Sequence, residues 1–420
     1  MDIQQLLQGK DCSCGRHHSC DIRYVSIEKG AISHLRELTR AYNGVLIVAD
    51  ENTFAAAGKQ TAAALGEKLA NQVIFSGKTI LIPNEEAVAA VTEKLEGIDL
   101  IVGIGSGVIQ DLCKYVAHEH RLPYFVVATA PSMDGYASTG AAMILGGMKV
   151  TCAAGVPEAI LADPEILKDA PMDMIQAGYG DIVGKYSALN DWLLSHAVTG
   201  EYFCQEIYDL TFDMVHKTLA LADGLVKRDE ESVKVLMEAL IVVGIAMSFA
   251  GSSRPASGSE HHFSHYFEIT GIVRGEDYFP HGVDVAYSTV ITAELREFVL
   301  GQPWPEHAFR PSREEYEAQV NRVYGPVGPG CIALQDKVGL YRKDMVPLYR
   351  GKEQEIRQIL SQMPSAEQIL QMLAAVGLDM AEFYKLYSPE KIADAKLYAK
   401  ELKDRYTVLW LYYDLFGGNK

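Results

Sequence analysis

Basic residues are scarce in this chain: lysine and arginine number 38 against 55 aspartates and glutamates, for a net charge of −17 at pH 7. That balance argues against nucleic acid or an anionic membrane surface as a partner, and an anionic small ligand would need a locally basic pocket. Long apolar runs are missing too. No stretch approaches the roughly 18 uninterrupted apolar residues of a membrane span, so no membrane insertion is expected. The opening MDIQQLLQGKDCSCGRHHSC has neither a basic n-region nor a sustained apolar run, so no signal peptide is expected and a cytoplasmic protein is. Cysteines are few and odd in number, seven in 420 residues. Cys113, Cys152, Cys204 and Cys331 stand alone in apolar segments, which suits buried thiols in a reducing compartment.

What is present reads as a globular protein of two domains, with 48% hydrophobic and 22% charged residues over 420 positions. From Ile22 strand-like and helix-like segments alternate. GVLIVAD (44–50), 72–77, 80–83, IDLIVG (98–103) and PYFVVAT (123–129) read as strands. Helices are expected over 52–71, 84–96 and 108–119. Apolar strands joined by helices imply a parallel sheet buried on both faces. A hairpin-like section is expected over 141–161, and from Pro171 to Gly417 the pattern is amphipathic and helical. The expected fold is thus an α/β, Rossmann-like parallel-sheet domain over 22–170, followed by an all-α domain over 171–420. Residues 1–21 form a cysteine-rich extension.

Three features carry chemistry. In the loop Gly103-Ile104-Gly105-Ser106-Gly107 a strand turns into a helix, where backbone N–H groups can hold a pyrophosphate. The GxGxG spacing equally fits a plain tight turn, and Asp50 precedes the loop where a ribose-binding acid would follow it. Four of the twelve histidines fall between 261 and 281. In a helix His261 and His265 lie one turn apart on one face while His262 points elsewhere, and His281 opens a further helix. Asp181 sits amid apolar residues, which is unusual unless the carboxylate is paired or metal-bound. The cluster of Cys12, Cys14 and Cys20 with His17 and His18 fits either an exposed extension or a small zinc clip, although Cys-x-Cys is tighter than the usual knuckle.

The segments VGIGSGVIQDLCK, APSMDGYAS, PEAILADPEIL, AGYGDIVGKYSALNDW, SRPASGSEHHFSH, the His281-Gly282 pair and RYTVLWL occur in this order from about Ile22 to about Gly417. Together they make the chain resemble the sn-glycerol-1-phosphate dehydrogenases, bacterial branch, within the superfamily of glycerol dehydrogenase, 3-dehydroquinate synthase and iron-dependent alcohol dehydrogenases. The resemblance implies a dehydroquinate synthase-like fold. It also implies reversible NAD(P)H-dependent reduction of dihydroxyacetone phosphate, an activity of lipid biosynthesis, in a homodimer.

It implies one divalent metal, zinc or nickel, on Asp181, His261 and His281, with His265 beside the substrate instead of on the ion. Asp134 would lie near nicotinamide and substrate. Gly105, Ser106 and Gly107 would hold the pyrophosphate and Asp50 the adenosine ribose, with Asp111, Thr129, Ser132 and Ser138 also at the cofactor. By position and charge, Lys185, Arg254 and His265 are candidates for the substrate phosphate. Alternatives of the same superfamily are a glycerol or other polyol dehydrogenase and a carbocycle-forming lyase.

Overall fold

The computed structural model describes residues 3–418 apart from 80 and 147. Ten strands are described: β1 (Lys10–Asp11), β2 (His17–His18), β3 (Tyr24–Ile27), β4 (Val45–Asp50), β5 (Leu69–Phe75), β6 (Leu100–Gly105), β7 (Tyr124–Ala128), β8 (Gly140–Leu145), β9 (Met148–Ala153) and β10 (Ala159–Ala162). Six of them form one sheet in the order β3-β10-β7-β6-β4-β5, and every pairing in it is parallel. The inner strands β10, β7 and β6 are buried along their whole length, whereas the edge strand β5 alternates between half-buried and exposed residues. This is the expected division between a strand covered on both faces and one at a rim. After β10 the described chain is helical.

Several boundaries differ from those expected. The helix expected over 52–71 stops at Leu65, and the strand expected over 72–77 starts earlier, as Leu69–Phe75, paired with β4. Leu69 and Ala70 favour a helix when judged by propensity, but here the open edge of β4 decides. Residue 80, in the strand expected over 80–83, lies outside the described residues, and 81–83 form no regular element. The helix over 84–96 is Glu85–Thr92, capped by the Asn84 side chain, which accepts from the Ala87 N–H at 3.0 Å. The hairpin expected to reach 161 closes at Ala153. It pairs β8 with β9, while β10 joins the main sheet between β3 and β7.

Two compact units make up the chain. One runs to Ile182 and takes in His216–Ser252; the other comprises Val183–Val215 and Ser253 onward. The sequence placed its boundary at 170/171. The continuous helix Met172–Thr199 carries residues of both units. In the first, Gly178 lies so close to Pro131 that a Cβ would meet the carbonyl oxygen at 1.8 Å. Gly244 sits against Ala137 in the same way, with a Cβ-to-Cβ distance of 2.6 Å. The loop after β7 is thereby pressed between two helices that only glycine allows to approach so closely.

Among the described residues one helix, Glu230–Ala250, is long and apolar enough to cross a membrane. Most of it is buried in the first unit, as in a core helix.

Candidate active site

Parallel pairing places the C-terminal ends of β4, β6 and β7 on one edge of the sheet, where open α/β sheets bind ligands. β6 extends to Gly105, two residues further than expected, so the turn proper starts at Ser106. Gly105 is required by packing: a Cβ there would meet that of Ile109 at 2.8 Å. The helix Gly107–His120 follows directly, and the Ser106 side chain makes no capping bond to it. Asp50 caps the next turn of chain, its Oδ1 accepting from the N–H groups of Asn52 (2.8 Å) and Thr53 (2.9 Å).

On the neighbouring loop Thr129, Ser132 and Asp134 are buried. The backbone N–H of Asp134 donates to Oδ2 of Asp181 at 2.9 Å. Lys114, which the sequence did not single out, donates to the carbonyls of Gly135 (2.8 Å) and Gly140 (2.9 Å) and to Oγ of Ser138 (3.2 Å). Its Nζ stands 3.7 Å from Oδ1 of Asp111. Burial pushes the Lys114 ammonium below its ordinary pKa, with Asp111 opposing that shift. Two expected cofactor residues, Asp111 and Ser138, are thus joined by a buried cation.

In the second unit the helices Ser259–Arg274 and His281–Gly301 bring three imidazoles together. Ring centroids are 5.1 Å apart for His261 and His281, 5.6 Å for His265 and His281, and 6.2 Å for His261 and His265. Nδ1 of His261 is 2.7 Å from Oε1 of Glu260, and Nδ1 of His281 is 3.4 Å from Oγ of Ser264. Burial works against the charge of Glu260, yet the His261 imidazole, the Ser187 hydroxyl and the Gly258 N–H together hold the carboxyl below its ordinary pKa. Glu260 stood in the histidine-rich stretch without a role assigned, and only the bond to His261 reveals one. His262 points away, fully buried, and neither ring nitrogen has a hydrogen-bond partner among the described residues. Gly184 permits the contact with these helices, since a Cβ there would come within 2.6 Å of Val285 and 3.3 Å of Glu260.

A profile described as iron-containing alcohol dehydrogenase matches residues 26–171. A glycerol-1-phosphate dehydrogenase [NAD(P)+] of Geobacillus stearothermophilus is 31% identical over 422 aligned positions, covering 97% of this chain and 96% of that protein. The chain belongs to the glycerol-1-phosphate dehydrogenase family. A family member from Thermococcus sibiricus is 33% identical over 309 positions, 72% of this chain and 83% of its own. Solved structures agree on the fold. An iron-containing alcohol dehydrogenase from Thermococcus thioreducens superposes with a TM-score of 0.62 at 15% identity, covering 96% of this chain and all of that one. A sulfoacetaldehyde reductase from Bifidobacterium kashiwanohense, solved with NAD+, gives 0.60 at 15% identity, over 94% of this chain and 97% of that one.

One residue expected at the family's substrate is committed elsewhere. Arg254 is 3% exposed. Its Nε donates to Oε1 of Glu201 at 2.7 Å, NH1 to the Tyr406 carbonyl at 2.9 Å and NH2 to Ser195 Oγ at 3.0 Å, with a further bond from NH2 to Glu201. A guanidinium so engaged fastens its loop and has no fork to turn toward a phosphate. Lys185 is fully buried, and its Nζ donates to the Ala256 carbonyl at 3.0 Å. His265 is half-buried.

Proposed function

We propose that this chain catalyses the reversible NAD(P)H-dependent reduction of dihydroxyacetone phosphate to sn-glycerol 1-phosphate, with one divalent ion, zinc or nickel, held by Asp181, His261 and His281. The convergence of the three imidazoles, with buried Glu260 behind His261, carries the reading. An imidazole whose Nδ1 is engaged by a carboxylate or hydroxyl offers Nε2 to an ion, as metal-ligating histidines do. Asp181 is a buried carboxylate, and its type suits a metal ion together with the two imidazoles. One carboxylate and two imidazoles leave coordination positions open, as a catalytic centre needs. Such a donor set accepts zinc or nickel.

When bound, the ion supplies Lewis acidity toward the C2 carbonyl of the substrate, and the reduced nicotinamide supplies the hydride. The protein's share is placement and proton transfer. Gly105, Ser106 and Gly107 offer the pyrophosphate a helix N-terminus. Asp50 caps one helix with Oδ1, and its carboxylate would accept from the adenosine ribose, while Thr129 and Ser132 would line the cofactor cleft. Lys114 holds Asp111 and Ser138 together. Asp134, bonded through its backbone to Asp181, would lie near the nicotinamide and substrate. His265 gives a proton to the C2 oxygen as that oxygen gains charge. Lys185, one helical turn beyond Asp181, provides positive charge for the substrate phosphate with His265. We assign the protein to the cytoplasm, as a homodimer; the buried thiols Cys113 and Cys331, isolated in sequence, suit that compartment.

The test is steady-state NADH oxidation with dihydroxyacetone phosphate, dihydroxyacetone and glycerol compared, and the product's enantiomer determined. Continuous NADH consumption that requires the phosphate and yields the sn-1 product is expected. Turnover of glycerol but not of the phosphate would make it a polyol dehydrogenase, and a reaction without net NADH consumption would make it a lyase.

A further inference from the structure

We infer that the N-terminal hairpin is a structural zinc site, built by Cys12, Cys14 and His18 and distinct from the residues assigned to catalysis. β1 and β2 pair antiparallel, with Lys10 opposite His18 and Asp11 opposite His17. The turn between them is closed by hydrogen bonds from Cys12 N–H to the Arg16 carbonyl (3.1 Å) and from Gly15 N–H to the Cys12 carbonyl (3.0 Å). Gly15 takes φ 85°, in the left-handed region open to glycine. This tight turn brings both sulfurs and one imidazole together. Cys14 Sγ lies 3.5 Å from Nε2 of His18, and the Cys14 N–H donates to Sγ of Cys12 at 3.4 Å.

The imidazole is oriented as a ligand. His18 is 1% exposed and stacks on Phe249 with centroids 5.4 Å apart. Its Nδ1 lies 3.2 Å from the Phe249 carbonyl oxygen. A carbonyl only accepts, so the proton sits on Nδ1 and the Nε2 lone pair faces the thiol. Histidines bound to metal through Nε2 carry a backbone carbonyl or carboxylate on Nδ1 in this way. Zinc–sulfur bonds of about 2.3 Å and zinc–nitrogen bonds of about 2.0–2.1 Å at a tetrahedral angle place S and N about 3.5 Å apart, matching the observed separation.

The hairpin's small size supports the same conclusion. Its strands have two residues each, His18 alone among them is buried, and the preceding helix Ile3–Leu7 buries none. So little apolar burial does not hold a module in place, and small modules commonly rely on a metal. Of the other candidates in the extension, His17 instead meets Asp11 at 2.9 Å on the surface, and Cys20 stands outside the group.

The experiment loads the full chain with cobalt in place of zinc and records thiolate-to-cobalt charge transfer in the near ultraviolet, which a centre of imidazoles and carboxylate does not give. The band is expected in the unaltered protein and in His261→Ala, and absent from Cys12→Ser/Cys14→Ser. Zinc content should fall by one equivalent per chain in the double serine variant while NADH oxidation persists. An unaltered protein without the band holds only a thiol–imidazole hydrogen bond at the hairpin, and that result overturns the inference. A band of full strength in the double variant overturns it as well.

Discussion

The backbone N–H of Asp134 donates to Oδ2 of Asp181 at 2.9 Å across 47 positions of sequence, with both side chains buried. One carboxylate therefore fixes the loop after β7 and, in the proposed reaction, carries the metal. Asp181→Asn keeps an oxygen for the Asp134 N–H but loses the charge. Its metal affinity, measured by equilibrium dialysis, should fall at least tenfold while NADH binds about as before. Asp181→Ala loses both roles, and NADH affinity should drop as well.

The partners of Arg254 predict how the two basic candidates differ. Arg254→Ala leaves Glu201 without its guanidinium and should destabilise the fold by roughly 1–3 kcal/mol. It should lower kcat/KM for dihydroxyacetone phosphate and unphosphorylated dihydroxyacetone alike. Lys185→Met should instead cost about 2–4 kcal/mol for the phosphorylated substrate only. Kinetics on both substrates with both variants checks this, and a phosphate-selective loss in Arg254→Ala would return the phosphate to that arginine.

Asp50→Ser separates two functions of one side chain. Serine is as good an N-cap as aspartate, so the bonds to Asn52 and Thr53 have a replacement and stability should stay within about 0.5 kcal/mol. The charge that repels a 2′-phosphate is removed. The ratio of kcat/KM for NADPH to that for NADH should rise several-fold, and an unchanged ratio would place the ribose elsewhere.

Burial holds His262 well below its ordinary pKa of 6.5, with the cations Arg405, Lys403 and Arg254 acting in the same direction. Its folded-state pKa is depressed, so below pH 6.5 the unfolded chain binds a proton that the folded chain refuses. Stability from this group is complete above that pH and declines as pH falls below it. In His262→Leu this component should vanish from urea unfolding compared at about pH 7.5 and about pH 5.5, and metal content should match that of the unaltered protein.

The sequence made the sheet legible because β4, β6 and β7 are unbroken apolar runs of strand length, a pattern that needs no partner to be seen. It misjudged 69–71, read as the end of a helix, which lengthen the strand expected over 72–77 through pairing with β4. The imidazoles were legible because His261 and His265 share a helical face and His281 opens its own helix. The partner of Arg254, Glu201, lies 53 positions away. The carbonyl that orients His18 lies 231 positions away. Roles set by such distant partners leave no local signal.

The most direct test of the account strips the protein with a chelator and reloads it with zinc or nickel, following NADH oxidation with dihydroxyacetone phosphate against metal bound at the imidazole centre. The account predicts that activity rises in proportion to metal until the centre is filled, and that His281→Ala neither fills it nor regains activity. Full activity in the stripped protein, or in His281→Ala, would contradict it.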